Sequence, residues 1–270
     1  MSLKKHSIEA SAQLLPIKIA ASTRKVAPRQ VVFCDFDGPI VDVSERYYQT
    51  YRQGLKAIAQ QTQYESSQRL NLQPLSKQRF WDMKQNRVAD IEIATRSGLP
   101  ELLFPAFMQH VQRIVNHPSL LRWDTIQPTA REALEHLNQR DFRVVLVTLR
   151  HPRQVNDFLQ AQGLAHLVAE VFGAADINAA HANRVEQKCD LLERAIAQQQ
   201  AQGHYTAASW MIGDTEADVI AGQTFGLSTA ALSCGVRSQN YLQRLGPIKL
   251  YCSLIQAARE VINTAALQVA

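Results

Sequence analysis

The sequence predicts an α/β fold, a doubly wound parallel sheet core interrupted by an inserted all-α unit, and three observations point to it. The runs at residues 31–34 and 143–148 are short, β-branched and continuously apolar, as strands buried on both faces of a parallel sheet are. Helical patterns alternate with the strand candidates, the arrangement that builds parallel sheets. Between the two long strand candidates, residues 43–124 carry almost no strand signal and several amphipathic stretches.

The elements follow in order. After Pro28 the first strand covers 31–34 and ends in Asp35-Phe36-Asp37-Gly38-Pro39. The insertion holds predicted helices at 45–61, 76–84, 88–97 and 100–115, with Gly98-Leu99-Pro100 as a break. A helix over 129–139 repeats Ala130, Ala133, Leu134 and Leu137 at helical spacing and feeds the second long strand, which ends at Thr148. Weaker strands are expected at 168–172, at 209–212 running into Gly213-Asp214-Thr215, and at 228–232, with a helix starting near Glu186 between the first two. The division expected is a basic arm at 1–30, a core of 31–42 and 125–270, and a helical cap at 43–124.

Composition narrows the function classes. The 270 residues are 46% hydrophobic and 20% charged, ordinary for a globular chain, and no run approaches the roughly eighteen apolar residues a membrane span needs. The net charge of +5 lies in residues 1–30, where six cations face Glu9 alone, so the remainder is neutral. That arm has no aromatic residue to stack on a base, and no nucleic-acid partner is expected. It reads as a solvated tail without the apolar core of a secretory signal. Cys34, Cys189, Cys234 and Cys252 are too scattered for a zinc knuckle or redox pair, which, with the missing signal, points to a reducing, cytoplasmic setting. No motif encodes an oligomeric state.

Ligands of doubly wound sheets bind at the carboxyl ends of the strands. Three predicted strand ends carry polar side chains at once: Asp35 with Asp37, Thr148, and Asp214 with Asp218. Together with Lys188, the segments Asp35-Phe36-Asp37-Gly38, Thr148 and Gly213-Asp214-Thr215-Glu216-Ala217-Asp218 resemble, in order, the four motifs of the haloacid dehalogenase-like (HAD-like) hydrolase superfamily. The resemblance runs from Val31 to Ile262, and the position of the cap is similar to that in the phosphoglycolate phosphatase and β-phosphoglucomutase branch. It implies a Rossmann-like core and a phosphatase acting on a small phosphorylated molecule.

Phosphoryl transfer through a covalent intermediate needs a carboxylate nucleophile, a cation to offset crowded negative charge, and a proton donor for the leaving oxygen. The resemblance makes Asp35 the nucleophile and Asp37 the acid, later the base. It gives Mg2+ to Asp35, Asp214, the Asp37 backbone carbonyl and Asp218, the last as ligand or through water. Mg2+ keeps several waters, so few carboxylates suffice. Thr148 is expected to hydrogen-bond a phosphoryl oxygen, and Lys188 to hold the nucleophile and the transferring group by charge. Gly38 and Arg150 are candidate phosphate contacts, and Lys84, Arg87 and Arg96 candidate cap contacts to an anionic or polyhydroxy part of the substrate. Tyr47, Tyr48 and Tyr51 read as cap packing.

The chain also departs from the family pattern. Pro39 stands where relatives carry a small residue, removing an N–H, and Leu149-Arg150 replaces a small polar residue followed by Lys. Asp37 argues against dehalogenation, which does not use an acid at that position. Phosphonate hydrolysis would need a cap lysine, for which Lys56, Lys77 and Lys84 are available without a marking motif. A phosphosugar mutase and a non-catalytic binding protein of the same fold remain the alternatives.

Overall fold

The computed structural model describes residues 27–66, 69–246 and 248–269, so most of the expected basic arm lies outside the described residues. Its last positions do not hang free: Arg29 pairs with Asp141 at 2.9 Å, and Gln30 already belongs to the first strand.

Among the described residues eight strands form, β1 Gln30–Cys34, β2 Val41–Asp42, β3 Thr125–Ile126, β4 Arg143–Thr148, β5 Glu170–Gly173, β6 Tyr205–Gly213, β7 Ser228–Leu232 and β8 Lys249–Tyr251. Six make one parallel sheet in the order β5-β4-β1-β6-β7-β8. The chain builds outward from β1 to one edge, then returns to the other side of β1 at β6. That reversal opens a crevice at the carboxyl ends of β1 and β6, where doubly wound sheets bind ligands.

Alternation along the central strands explains why both faces are apolar. Val32, Cys34, Val144, Leu146 and Ile212 pack into one core with Leu134 and Leu137 of α6 (Ala130–Gln139) and Ala258 and Val261 of α12 (Leu254–Val269). Val31, Phe33, Val145, Val147 and Met211 face the other way, onto Leu191, Leu192 and Ala195 of α9 (Val185–Ala201) and Ala221 of α10 (Glu216–Thr224). The remaining core helices are α7 (Pro152–Ala161), α8 (Ala179–Ala182) and α11 (Gln239–Gln243).

The inserted unit contains α1 (Ser44–Ser66), α2 (Lys77–Gln85), α3 (Asp90–Thr95), α4 (Phe104–Ile114) and α5 (Pro118–Leu121). Its own core gathers Tyr51, Leu55, Phe80, Met83, Ile93, Phe107 and Val111. Tyr51 stacks on Phe80 with ring centres 4.7 Å apart, and Tyr48 Oη donates to Leu75 O at 3.0 Å. The antiparallel pair β2·β3 clips the two ends of the insertion together, Val41 opposite Ile126 and Asp42 opposite Thr125.

Several elements differ from the sequence reading for local reasons. The helix expected over 100–115 divides into a 3-10 turn at Glu101–Leu103 and α4, because Pro105 lacks an N–H and fits only the first turn. The strand expected at 209–212 extends back to Tyr205 across an irregular register with β1, where Ala208 takes φ +62°. A 3-10 turn at Ala165–Leu167 delays β5 to Glu170. The three-residue β8 and the two-residue β2 and β3 are too short to carry a pattern of their own. Among the described residues no helix is long and apolar enough to cross a membrane.

Candidate active site

Asp35 leaves β1 directly, its N–H still donating to Ile212 O at 2.8 Å, so the nucleophile candidate is held by the last rung of the sheet. Asp214 follows β6, the neighbouring strand, and the turn between Asp35 and Val41 brings Gly38 against it. A Cβ on Gly38 would stand 2.2 Å from Asp214 Cγ, and Gly38 has φ +99°, so the position requires glycine twice over. Asp214 is fully buried, accepts from Val236 N–H through Oδ2, and among the described residues leaves Oδ1 without a hydrogen-bond partner.

Asp218 stands in the first turn of α10. Its Oδ2 accepts from Asp214 N–H, Thr215 N–H and Thr215 Oγ1 at 3.2, 3.0 and 2.8 Å, a capping box that fixes the strand-to-helix turn. Its Oδ1 lies 2.7 Å from Lys188 Nζ, whose other anionic partner is Asp35 Oδ1 at 2.9 Å. Lys188 reaches this point from the first turn of α9 and also donates to Val147 O at 3.0 Å. It is 1% exposed; burial opposes its charge, but Asp218 and Asp35 outweigh that and hold its pKa above the ordinary lysine range.

The carboxylates are crowded beyond what one lysine offsets. Burial, with Asp218 and Asp37 adding to it against the pull of Lys188, pushes Asp35 up to about 7. Burial, then Asp35 and Asp218, raises Asp214 well above the usual range. Asp35, Asp214 and Asp218 each offer an oxygen within 4.8 Å of the others. A divalent cation fits this set: the donors are hard oxygens, Asp214 Oδ1 is an orphan, and the repulsion is what a cation would relieve.

A cavity of about 70 Å³ opens over these strand ends, lined among others by Asp35, Asp37, Thr148, Lys188, Lys84, Arg87, His181 and Arg237. Thr148 Oγ1 accepts from Arg150 N–H at 3.2 Å, which leaves its own hydroxyl hydrogen available. A smaller, mostly apolar cavity of about 30 Å³ within the helical unit shares Tyr47, Lys84, Asp90 and His181 with the first.

Of the other sequence candidates, Gly38, Arg150 and Arg96 do not line this cavity, whereas Lys84 and Arg87 do. Gly38 N–H is spent on Val41 O at 2.8 Å, so Gly38 serves close approach to Asp214 rather than a phosphate. Arg150 is 2% exposed and bound between Asp37 and Asp124, not offered to the cavity. Arg96 is exposed, pairs with Glu92 on its own helix turn, and does not line the cavity. Lys84 and Arg87 do line it, although Lys84 is paired with Asp90 at 2.6 Å and Arg87 with Glu216 at 3.1 Å.

Sequence reasoning missed Arg46, Asp124, His181, Asn183 and Arg237. Arg237 grips Glu216 at 2.7 and 3.0 Å, so Glu216 ties Arg87 beside α2 to the loop after β7. Ser238 N–H donates to Gln85 O at 2.9 Å and Gln85 Nε2 to Gly235 O at 2.8 Å, drawing the end of α2 onto the same loop. Glu216 stood inside a recognised motif; the others carried no local signal.

Comparison with known proteins matches residues 30–226 to the family model of haloacid dehalogenase-like hydrolases. No curated protein matches the chain. Among solved structures it resembles a predicted phosphatase from Clostridium acetobutylicum, with TM-score 0.61 and 14% identity over 88% of this chain and 100% of that one. A predicted phosphoglycolate phosphatase from Haemophilus somnus 129PT gives TM-score 0.59 and 18% identity over 86% and 97%. Protein Tyrosine Kinase A of Mycobacterium tuberculosis gives TM-score 0.61 and 17% identity over 88% and 99%, so the shared architecture does not choose an activity. With the family model spanning more than half of the chain, the protein belongs to the haloacid dehalogenase-like hydrolases.

Proposed function

We propose that the protein is a Mg2+-dependent phosphatase that cleaves a small organic phosphomonoester through an aspartyl-phosphate intermediate on Asp35. The observation that carries this reading is the buried set formed by Asp35 and Asp214 at adjoining strand ends with Lys188 and Asp218 from the first turns of α9 and α10, Asp37 standing two residues beyond the nucleophile. Mg2+, held by Asp35, Asp214 and the Asp37 carbonyl with Asp218 behind them, would supply positive charge against the phosphoryl oxygens.

Lys188 orients Asp35 and offsets charge on the transferring group. An oxygen of Asp35 bonds to phosphorus as the phosphorus–leaving-oxygen bond breaks, and Asp37 passes its proton to that oxygen. Water then attacks the phosphorus of the aspartyl phosphate, Asp37 takes a proton from it, and inorganic phosphate leaves with Asp35 restored. Thr148 donates its hydroxyl hydrogen to a phosphoryl oxygen.

Residues 43–124 act in this reading as a cap over the strand ends, in the manner of the phosphoglycolate phosphatase branch. A cavity of about 70 Å³ with Lys84 and Arg87 in its wall favours a small anionic or polar leaving group over a polymer.

The test is phosphate release from a panel of small phosphomonoesters with and without Mg2+, with Asp35→Asn beside the parent. Metal-dependent release, lowered about a thousandfold or more in the variant, is expected. Release that persists in the variant would remove Asp35 as nucleophile, and turnover only with a sugar bisphosphate present would make the protein a mutase.

A further inference from the structure

Asp37 is held by a buried square of charge. Arg46 Nη2 donates to Asp37 Oδ2 at 3.0 Å, and Arg150 Nε lies 3.1 Å from Asp37 Oδ1. Both arginines also reach Asp124: Arg46 Nε stands 2.9 Å from Oδ1 and Arg150 Nη2 2.8 Å from Oδ2. The contact between Arg46 and Asp37 has hydrogen-bond geometry; the other three are ion pairs without it. The side chains of Arg46, Asp124 and Arg150 are 1, 1 and 2% exposed, so water hardly competes.

The four residues come from four segments. Asp37 lies beyond β1, Arg46 in the first turn of α1, Asp124 just before β3, and Arg150 beyond β4. Arg46 Nη1 also donates to Asn116 Oδ1 at 2.8 Å, near the far end of the helical unit. One guanidinium is therefore tied to the turn carrying Asp37 and to both crossings between sheet and insertion.

Stability does not account for such a network. Taking four charges out of water costs several kcal/mol each before pairing, and well-packed apolar residues would hold the same junction as firmly or better. What charge provides and apolar packing cannot is control of a carboxylate. Each oxygen of Asp37 faces a different guanidinium, Oδ2 through the hydrogen bond from Arg46 and Oδ1 through the ion pair with Arg150, so the group is held between two charges fixed by other segments. Proton transfer needs the acid within hydrogen-bond reach of the leaving oxygen, and an error of about 1 Å costs about a hundredfold in rate.

We infer that Arg46, Arg150 and Asp124 are positioning residues for Asp37, and that Arg46 makes its orientation depend on where the helical unit sits over the sheet. The inference rests on the phosphatase reading above. The step served is the transfer of the Asp37 proton to the leaving oxygen, which keeps the electron pair of the broken bond to phosphorus.

The variant to make is Arg150→Gln with Asp124→Asn, which removes one cation and one anion together and leaves the Arg46–Asp37 pair. In Mg2+, kcat/KM is measured on the best alkyl phosphate of the panel and on 4-nitrophenyl phosphate, whose leaving group departs without a proton. The alkyl substrate should lose about tenfold more than the aryl one. The ratio of the two is independent of how much enzyme is folded, so a merely structural defect leaves it unchanged. Arg46→Lys, which keeps the charge but loses the fork, should shift the ratio in the same direction and supplies the reading if the double variant does not fold. Equal losses on both substrates, or none, would overturn the inference while leaving the phosphatase reading intact. A parent inert toward every ester would remove both.

Discussion

Asp214 shows what the site costs when no cation is bound. It is fully buried, one of its oxygens has no hydrogen-bond partner among the described residues, and burial with two neighbouring carboxylates raises its pKa. Asp214→Asn keeps an acceptor for Val236 N–H and removes the charge. In metal-free protein, at a pH high enough to ionise Asp214, this substitution should raise Tm by about 2–4 °C, roughly 1 kcal/mol at this chain length, while phosphatase activity is lost. Thermal unfolding in chelator checks it; a Tm that falls instead would mean that Lys188 and Arg237 already neutralise the carboxylate. Lys188 shows the opposite balance, two anions outweighing burial, and its charge persists through the neutral range.

At the scale of elements, two devices set the site. The first is the start of α10, where Asp218 caps the backbone with one oxygen and meets Lys188 with the other, so the turn carrying Asp214 and the base of α9 are fixed together. The second is the tie between α2 and the loop after β7. Burial works against the charge of Glu216, but its hydrogen bonds to Arg237 and the nearby Arg87 keep its pKa below the ordinary value. Glu216→Gln weakens the hold on Arg87, whose side chain is half exposed, so the expected effect is about 1 kcal/mol. KM should rise about 3- to 10-fold with kcat changed less. Steady-state kinetics decides; an equal fall in kcat at constant KM would place Glu216 in the chemistry rather than in closing the cap.

For the molecule as a whole, the crowded carboxylates link metal, pH and stability. Asp35 has a folded pKa of about 7 against an ordinary 3.8, so between those values the folded state binds more protons than the unfolded one. The stability it contributes is present at low pH and lost as pH rises toward about 7, and metal-free protein should unfold at a lower temperature at pH 8 than at pH 5 through this group. A cation binds the deprotonated carboxylates and reverses the trend. Mg2+ at about a hundred times its Kd should add about 2.7 kcal/mol, or roughly 5–10 °C, and more of that gain should remain at pH 8 than at pH 5. Scanning calorimetry with Mg2+ or chelator at both pH values reads this. A gain that is larger at pH 5 would show that metal does not bind the ionised set.

The sequence by itself determined the parallel sheet, its central strands and the residues at their ends, because these signals are local. Strands buried on both faces read as unbroken apolar runs, and the carboxylates of the first and last motifs are contiguous with the strands that present them. The helical nature of residues 43–124 was legible for the same reason, as amphipathic spacing. Only the tertiary structure decided the strand order, the β2·β3 clip, and the fate of the isolated cations. Arg150 read as a phosphate contact because its position beside Thr148 is local information, whereas its two carboxylate partners are brought to it from other segments by the return of the chain. Arg46 and Asp124 had no signal, since a single charge near a helix start or before a two-residue strand is commonplace until burial forces it to find a partner. Pairing across the fold depends on distance in space, which the spacing of residues along the chain does not encode.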